Sequence, residues 1–440
     1  MSQDSAKREE NNAYLKHLTA VNNSNPVIVT ENVLDEDGAL LLKQGSRINE
    51  QATERLLKFK LLKPIEESIG LENSLTGDRI HQEMLLSCNQ NPTSKALYES
   101  CQFDDVLQKM CQSVEQYPIL IQKLTVHALQ RPKEFHKATM CAWMSIHIGN
   151  AIGLTQEQLL CLFLAALTHD IGMLHIDRAI TEKQGDLTAE EWQSMQCHVI
   201  IGEKIIRGIG LPASCSRAIL EHHERCDGSG YPKSITREEL SIEGQIIAMC
   251  DMIVAVIKNR LSIMGSSVVD LIPILQVNSE IHFYHTYETI VLWLRTVTKN
   301  NISPQLTEQE ANERIKQIKA LRREVVDRLD IINEVLRKIT ADKKNKKIQA
   351  IIISIEQLDS VLTRSGVLYF YYVHWLEHSI KTSDTSAFTK IDYSLIILNE
   401  TKWRLRHIER NLKLFHDHGN NASISTKQAI NDGLKQLAKY

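Results

Sequence analysis

The sequence contains no C-x-x-C pair, although nine of its 440 residues are cysteine. Their number is odd, and they occur singly along the chain. Both features argue against a disulfide scaffold or a zinc finger and are typical of reduced thiols. The sequence also lacks the glycine-rich patterns G-x-x-x-x-G-K-[ST] and G-x-G-x-x-G, which bind nucleotide phosphates. We therefore expect neither a nucleotide-hydrolysing core nor a dinucleotide-binding core.

An excess of basic residues is also missing: 51 lysines and arginines stand against 54 acidic residues, a net charge of −3. A protein that contacts many nucleic-acid phosphates needs such an excess, so we expect no DNA or RNA partner. The longest apolar run, Leu159–Leu167, is about half of the ~18–20 residues that a membrane span requires. The polar segment Met1–Leu18 lacks the apolar region of a signal peptide. These absences predict a cytoplasmic protein without a membrane span.

The length of the chain allows two or three domains. We predict a mainly α protein, in which a central all-helical domain is preceded by a small α+β domain and followed by a helical bundle. The predicted parts are a flexible arm (1–25), the α+β domain (26–66), a linker (67–102), the central domain (103–300), the bundle (305–415) and a polar tail (416–440).

Two short apolar runs around a turn predict the α+β domain. Val27–Val29 and Ala39–Leu42 flank a turn that ends in Gly38, which indicates a hairpin with positive φ at this glycine. Asn49 is placed to cap a short helix that runs to Phe59. A packing or dimerisation role is favoured over ligand binding for this domain.

A heptad stripe marks the C-terminal third of the chain. Its members are Val325, Leu329, Ile332, Leu336 and Ile339. Their spacing suits either a coiled coil between two chains or an antiparallel bundle within one. A second copy of the chain, or another protein, is therefore a candidate partner for these helices.

The residues that can bind metals are concentrated in the central domain. They are His169, Asp170, His198, His222, His223 and Asp251. Mixed imidazole and carboxylate donors suit iron, manganese or five- to six-coordinate zinc better than structural zinc, which prefers thiolate. Six donors exceed the needs of one ion, so two ions bridged by Asp170 are the economical arrangement. Such a pair can polarise a phosphoryl oxygen and generate hydroxide from water at neutral pH.

The surroundings of these residues make the pattern specific. The dipeptide His169-Asp170 follows a long apolar run, and the pair His222-His223 ends another apolar segment just before the glycine turn Asp227–Pro232. Adjacent histidines at the end of an apolar helix are unfavourable without a polar partner. In this order the motifs resemble those of the HD-GYP family, bacterial metal-dependent phosphodiesterases of the HD superfamily.

The resemblance covers about residues 120–290 and implies hydrolysis of cyclic di-GMP to pGpG or GMP. It implies that the six residues bind two or three divalent ions, iron or manganese, and that His169 and Asp170 are catalytic. It further implies a pocket wall and substrate contacts formed by Gly230, Tyr231 and Pro232.

Three positions depart from the family pattern. Lys137 stands where an upstream histidine is expected, and His136 lies one residue earlier, about 100° around the helix. Because a protonated lysine cannot bind a metal, we expect one metal site to be weakened or lost. Met173 replaces a lysine after the His-Asp-Ile-Gly motif, and after Asp251 only Arg260 remains as a phosphate-binding candidate. Two hypotheses follow: a phosphodiesterase of weakened activity, or a degenerate module that acts as a binding or scaffolding protein in signalling.

Overall fold

The computed structural model describes residues 3–185, 187–261, 268–298, 307–339, 342–382, 385–418 and 422–440. The chain divides into two compact units: Met1–His223 with Ser241–Asn259, and Glu224–Leu240 with Arg260–Tyr440. The fold is mainly α, with a small α+β region near the N-terminus, as the sequence predicts. The limits of the individual domains stay a prediction.

The first unit contains helices and, near its N-terminus, a small β region. The helices are α1 (Gln3–Asn22), α2 (Glu50–Lys58), α3 (Gly77–Asn89), α4 (Pro92–Glu99), α5 (Asp104–Ser113), α6 (Pro118–Gln130), α7 (Pro132–Ala151), α8 (Gln156–Thr168), α9 (Arg178–Thr181), α10 (Ala189–Gln196), α11 (His198–Ile209), α12 (Ala213–Glu221) and α13 (Ile242–Val256). The strands are β1 (Val27–Val29), β2 (Val33–Leu34), β3 (Leu40–Leu42) and β4 (Ile69–Leu71).

Helices α7, α8 and α13 pack together and form the core of this unit. Trp143 of α7 and Phe163 of α8 are fully buried. Thr155 and Gln158 form a reciprocal capping box that fixes the start of α8. The segment Gln156–His175 is long and apolar enough to cross a membrane, but 83% of its most apolar window is buried inside the protein, a property that core helices share.

The pairing of the short strands differs from the predicted hairpin. β1 pairs antiparallel with β4, Val27 opposite Leu71, whereas β3 pairs with β2. The runs are only two or three residues long, so alternation within them cannot specify a partner. The turn at Gly38 does have positive φ, at 82°. Asn49 caps α2, its side chain accepting a hydrogen bond from the Ala52 amide.

Three segments predicted to be irregular are helical. The flexible arm contains α1, the linker contains α3 and α4, and the polar tail contains a helix that belongs to the second unit. In α1 the side chains of Tyr14, Leu18 and Val21 are fully buried. Their spacing places them on one helical face, which the polar composition of the segment conceals.

Cys161 of α8 and Cys215 of α12 form a disulfide. The expectation of reduced thiols throughout is therefore wrong for this pair. The two cysteines are 54 residues apart, and only the packing of α8 against α12 brings them together.

The second unit is built from helices of the C-terminal half. They are α14 (Leu271–Val277), α15 (Tyr284–Thr298), α16 (Glu308–Lys338), α17 (Lys346–Ser365), α18 (Phe370–Lys381), α19 (Thr385–His418) and α20 (Ile424–Leu437). The heptad stripe on α16 is buried within this unit, largely against α19. Arg328 of α16 contacts Glu409 of α19 with an Nη1–Oε1 distance of 2.5 Å. The stripe therefore packs within one chain, which resolves the alternative that the sequence leaves open.

Truncation of a stripe residue is expected to destabilise the second unit. Ile332 is fully buried, and Ile332→Ala should lower the free energy of unfolding by about 2–5 kcal/mol through lost contacts and a residual cavity. Ile353→Ala on α17, where the side chain is 37% exposed, should change it by less than about 0.5 kcal/mol. Urea unfolding followed by circular dichroism measures both values; equal losses would contradict the assignment of the stripe to the core.

Candidate metal centre

Helix ends position most of the predicted ligands. His169 terminates α8, and Asp170 leads into a tight 3₁₀ turn, Ile171–His175. His198 is the first residue of α11, and His222 terminates α12. All four side chains are buried.

Asp170 lies between two groups of potential ligands. We call Asp170, His198, His222 and His223 the histidine set, and His169, Asp170 and Asp251 the carboxylate set. Within each set the ligand atoms lie within 4.8 Å of one another. All six residues predicted from the sequence thus converge, and Asp170 belongs to both sets.

The two carboxylate oxygens of Asp170 face different sets. Its Oδ1 lies 3.4 Å from Nε2 of His198 and 3.9 Å from Nε2 of His222. Its Oδ2 lies 3.3 Å from Nε2 of His169, which in turn lies 3.5 Å from Oδ1 of Asp251. This division is the one that a bridging carboxylate requires.

Backbone carbonyl groups orient three of the imidazole rings. Nδ1 of His169, His198 and His222 donates a hydrogen bond of 2.8, 2.7 and 2.6 Å, respectively. The acceptors lie three residues earlier, on Ala166, Met195 and Ile219. Because a carbonyl oxygen only accepts, Nδ1 carries a hydrogen in all three rings, and in the neutral rings of His198 and His222 the lone pair lies on Nε2, towards Asp170. The donor types, the tautomer and the burial fit a divalent metal ion.

Burial and mutual charge set the protonation of these groups. Burial lowers the pKa of His222 to about 3, helped by His169 and His198, and burial also lowers the pKa of His198. Both rings are therefore neutral at pH 7, the form that binds metals. Burial opposes the charge on Asp170, but His169 and Lys137 hold its pKa well below the usual value. Burial likewise opposes a charged His169, yet Asp170 and Asp251 raise its pKa well above normal.

Lys137 of α7 extends into the carboxylate set. Its Nζ lies 2.5 Å from Oδ1 of Asp251 and 3.7 Å from Oδ2 of Asp170. Burial disfavours the ammonium, but the two carboxylates raise the pKa of Lys137 above its ordinary value. His136, the neighbouring residue, turns away from the carboxylate set: its Nε2 lies 3.2 Å from Oε2 of Glu83.

The predicted substrate-contacting residues lie outside the first unit. Gly230, Tyr231 and Pro232 form a half-buried loop of the second unit, with a cis Tyr231–Pro232 peptide bond. The side chain of Arg260 lies outside the residues that the structure describes. Met173 is half-buried in the 3₁₀ turn, and its thioether cannot donate a hydrogen bond to a phosphate.

Sequence reasoning missed one residue that shapes the Gly-Tyr-Pro loop. The buried carboxylate of Glu224 accepts hydrogen bonds from the amides of Lys233, at 2.6 Å, and Ile235, at 3.3 Å. It thereby fixes the backbone that follows the loop. The position of Glu224 directly after His222-His223 was the available signal.

The backbone oxygens that orient the histidines were missed as well. Their signal is the placement of His169 and His222 at helix C-termini, where carbonyl groups have no partner within the helix. A ring at such an end can reach the carbonyl three residues earlier.

Comparison with known proteins agrees with this geometry. A model of the HD domain family matches residues 119–283. A cyclic di-GMP phosphodiesterase of Thermotoga maritima is 36% identical over 133 residues, which are 30% of this chain and 36% of that protein. The cyclic di-GMP phosphodiesterase PdeB of Borreliella burgdorferi is 37% identical over 119 residues, 27% of this chain and 31% of that protein. A 3'3'-cGAMP-specific phosphodiesterase of Vibrio cholerae is 33% identical over 113 residues, 26% of this chain and 25% of that protein.

Residues 119–283 therefore form an HD domain, the class defined by the paired histidine and aspartate that open its metal site. The order of the motifs in this segment is similar to that of the HD-GYP family. The chain spans only 25 to 36% of the length of these three relatives.

Proposed function

We propose that this chain is a metal-dependent phosphodiesterase that hydrolyses cyclic di-GMP to pGpG or GMP in bacterial second-messenger signalling. The observation that carries the proposal is the convergence of buried imidazole and carboxylate donors on Asp170. The names of the relatives support a cyclic dinucleotide as substrate. A cytoplasmic location is part of the proposal, and a protein partner for the C-terminal helices stays a prediction.

The histidine set is the part of the site that would hold a metal. A divalent ion there supplies Lewis acidity, which neutralises phosphodiester charge and makes a water molecule more acidic. The donors are nitrogen and oxygen, and we therefore propose iron or manganese as the metal. The sequence predicts two ions with Asp170 as the bridge, and the division of the Asp170 oxygens supports a position of Asp170 between two cations.

The chain's own residues supply orientation and charge at the site. The hydrogen bonds at Nδ1 hold the rings of His198 and His222 with Nε2 towards Asp170, so these donors need no rearrangement. Lys137 adds a fixed positive charge that attracts the phosphodiester anion. Burial of the carboxylates limits competing water around these charges.

Turnover of cyclic di-GMP by the purified full chain tests the proposal. With Mn²⁺ or Fe²⁺ we expect conversion to pGpG or GMP, resolved by reverse-phase chromatography. Loss of activity after treatment with a chelator, and recovery on adding back the metal, should accompany it. 3'3'-cGAMP serves as the comparison substrate, because one relative is specific for it.

A binding or scaffolding role is the second candidate function. The ammonium of Lys137 within the carboxylate set favours this role, because an ammonium group has no lone pair with which to bind a metal ion. Tight binding of cyclic di-GMP by metal-loaded protein without any product would support this role and contradict the phosphodiesterase proposal.

A further inference from the structure

Lys137 lies where the carboxylate set would otherwise face a metal ion. Its Nζ is 2.5 Å from Oδ1 of Asp251, the oxygen that also faces Nε2 of His169 at 3.5 Å. The same Nζ lies 3.7 Å from Oδ2 of Asp170. The ammonium thus contacts both carboxylates of the set.

An ammonium group excludes a metal ion from this position in two ways. It has three hydrogen-bond donors and no lone pair, so it cannot bind the ion as a ligand. It also repels a divalent ion placed a few ångströms away, and burial strengthens that repulsion. At the same time it neutralises one of the two negative charges that would attract the ion.

The histidine set is not affected in this way. The oxygen of Asp170 that faces His198 and His222 is Oδ1, whereas Lys137 approaches Oδ2. Three imidazoles and one carboxylate therefore form a set of four potential donors in which Lys137 takes no part. One half of the bridged centre keeps its ligands, and the other half already contains a cation.

We propose that the ammonium of Lys137 is the resident cation of the carboxylate set, and that this chain binds a single divalent metal ion, at the histidine set. The inference rests on the proposed metal-dependent function and specifies its centre. Asp251 then holds the Lys137 ammonium in place, His169 holds the carboxylates of Asp170 and Asp251, and neither residue binds a metal.

Metal stoichiometry tests the proposal without reference to activity. The purified full chain is saturated with Mn²⁺, dialysed and analysed by inductively coupled plasma mass spectrometry. We expect one ion per chain in the wild type. In Lys137→His the ammonium is replaced by a metal ligand, and we expect two. Lys204→His makes the same change at an exposed position of α11 and should leave one ion.

Two further variants test the inference by removing a side chain, without adding a new metal ligand. His198→Ala should lose the metal ion, whereas His169→Ala should retain it, with circular dichroism confirming that both variants are folded. Two ions in the wild type, none in the wild type, or no increase in folded Lys137→His would each overturn the inference. One ion without hydrolysis would support the inference and contradict the proposed function; two ions with hydrolysis would do the reverse.

Discussion

Asp170→Asn is expected to abolish metal retention and to lower kcat for cyclic dinucleotide hydrolysis by about a thousandfold or more. Among the described residues, Asp170 is the member shared by both ligand sets. Asparagine keeps the size of the side chain but removes its negative charge. Loss of a metal that contributes several kcal/mol to the transition state corresponds to a reduction of this size.

The fold should survive this change. Lys137 keeps its contact with Asp251, so the substitution leaves no buried ammonium without a carboxylate. The far-ultraviolet circular dichroism spectrum, which reports helix content, should therefore match that of the wild type. Asp105→Asn, at an exposed position of α5, is the matched control and should leave metal content and kcat unchanged. Wild-type turnover in folded Asp170→Asn would place the chemistry elsewhere.

The candidate metal centre could be predicted because its residues follow recognisable patterns in the sequence. His169-Asp170 and His222-His223 each follow an apolar helix, so their neighbours in the chain already place them at buried helix ends. Donor type then restricts the chemistry. The direction of a long side chain is different: whether Lys137 enters the carboxylate set depends on how α7 packs against α13, which no local pattern specifies.

The segments that were predicted wrongly have weak local signals. In α1 a few buried residues, among them Tyr14 and Leu18, are separated by polar ones, and the tertiary contacts decide that the helix forms. The strand β1 pairs with β4 about forty residues along the chain, a choice that three-residue strands cannot encode. The disulfide between Cys161 and Cys215 likewise follows from helix packing and not from spacing.

The glycine of the His-Asp-Ile-Gly motif permits a close approach between the 3₁₀ turn and α11. A Cβ added to Gly172 would overlap the carbonyl oxygen of His198 and lie 2.8 Å from the amide nitrogen of Gly202. Both are backbone atoms, so no side-chain rotation can relieve the overlap. The first turn of α11, which carries His198, would have to move away from Asp170.

Gly172→Ala is therefore expected to lower both stability and metal affinity. We expect a loss of about 1–3 kcal/mol or more in the free energy of unfolding, as for other overpacked sites. Displacement of His198, whose Nε2 lies 3.4 Å from Oδ1 of Asp170, should weaken Mn²⁺ binding by roughly 10- to 100-fold, measured by isothermal titration calorimetry.

Gly208→Ala is the matched control, because Gly208 lies on an exposed face of α11 with no atom within 4 Å of an added Cβ. That variant should gain about 0.5–1 kcal/mol from its higher helix propensity and bind Mn²⁺ normally. Equal changes in stability and Mn²⁺ affinity in the two variants would contradict the claim that the backbone contact at Gly172 positions His198.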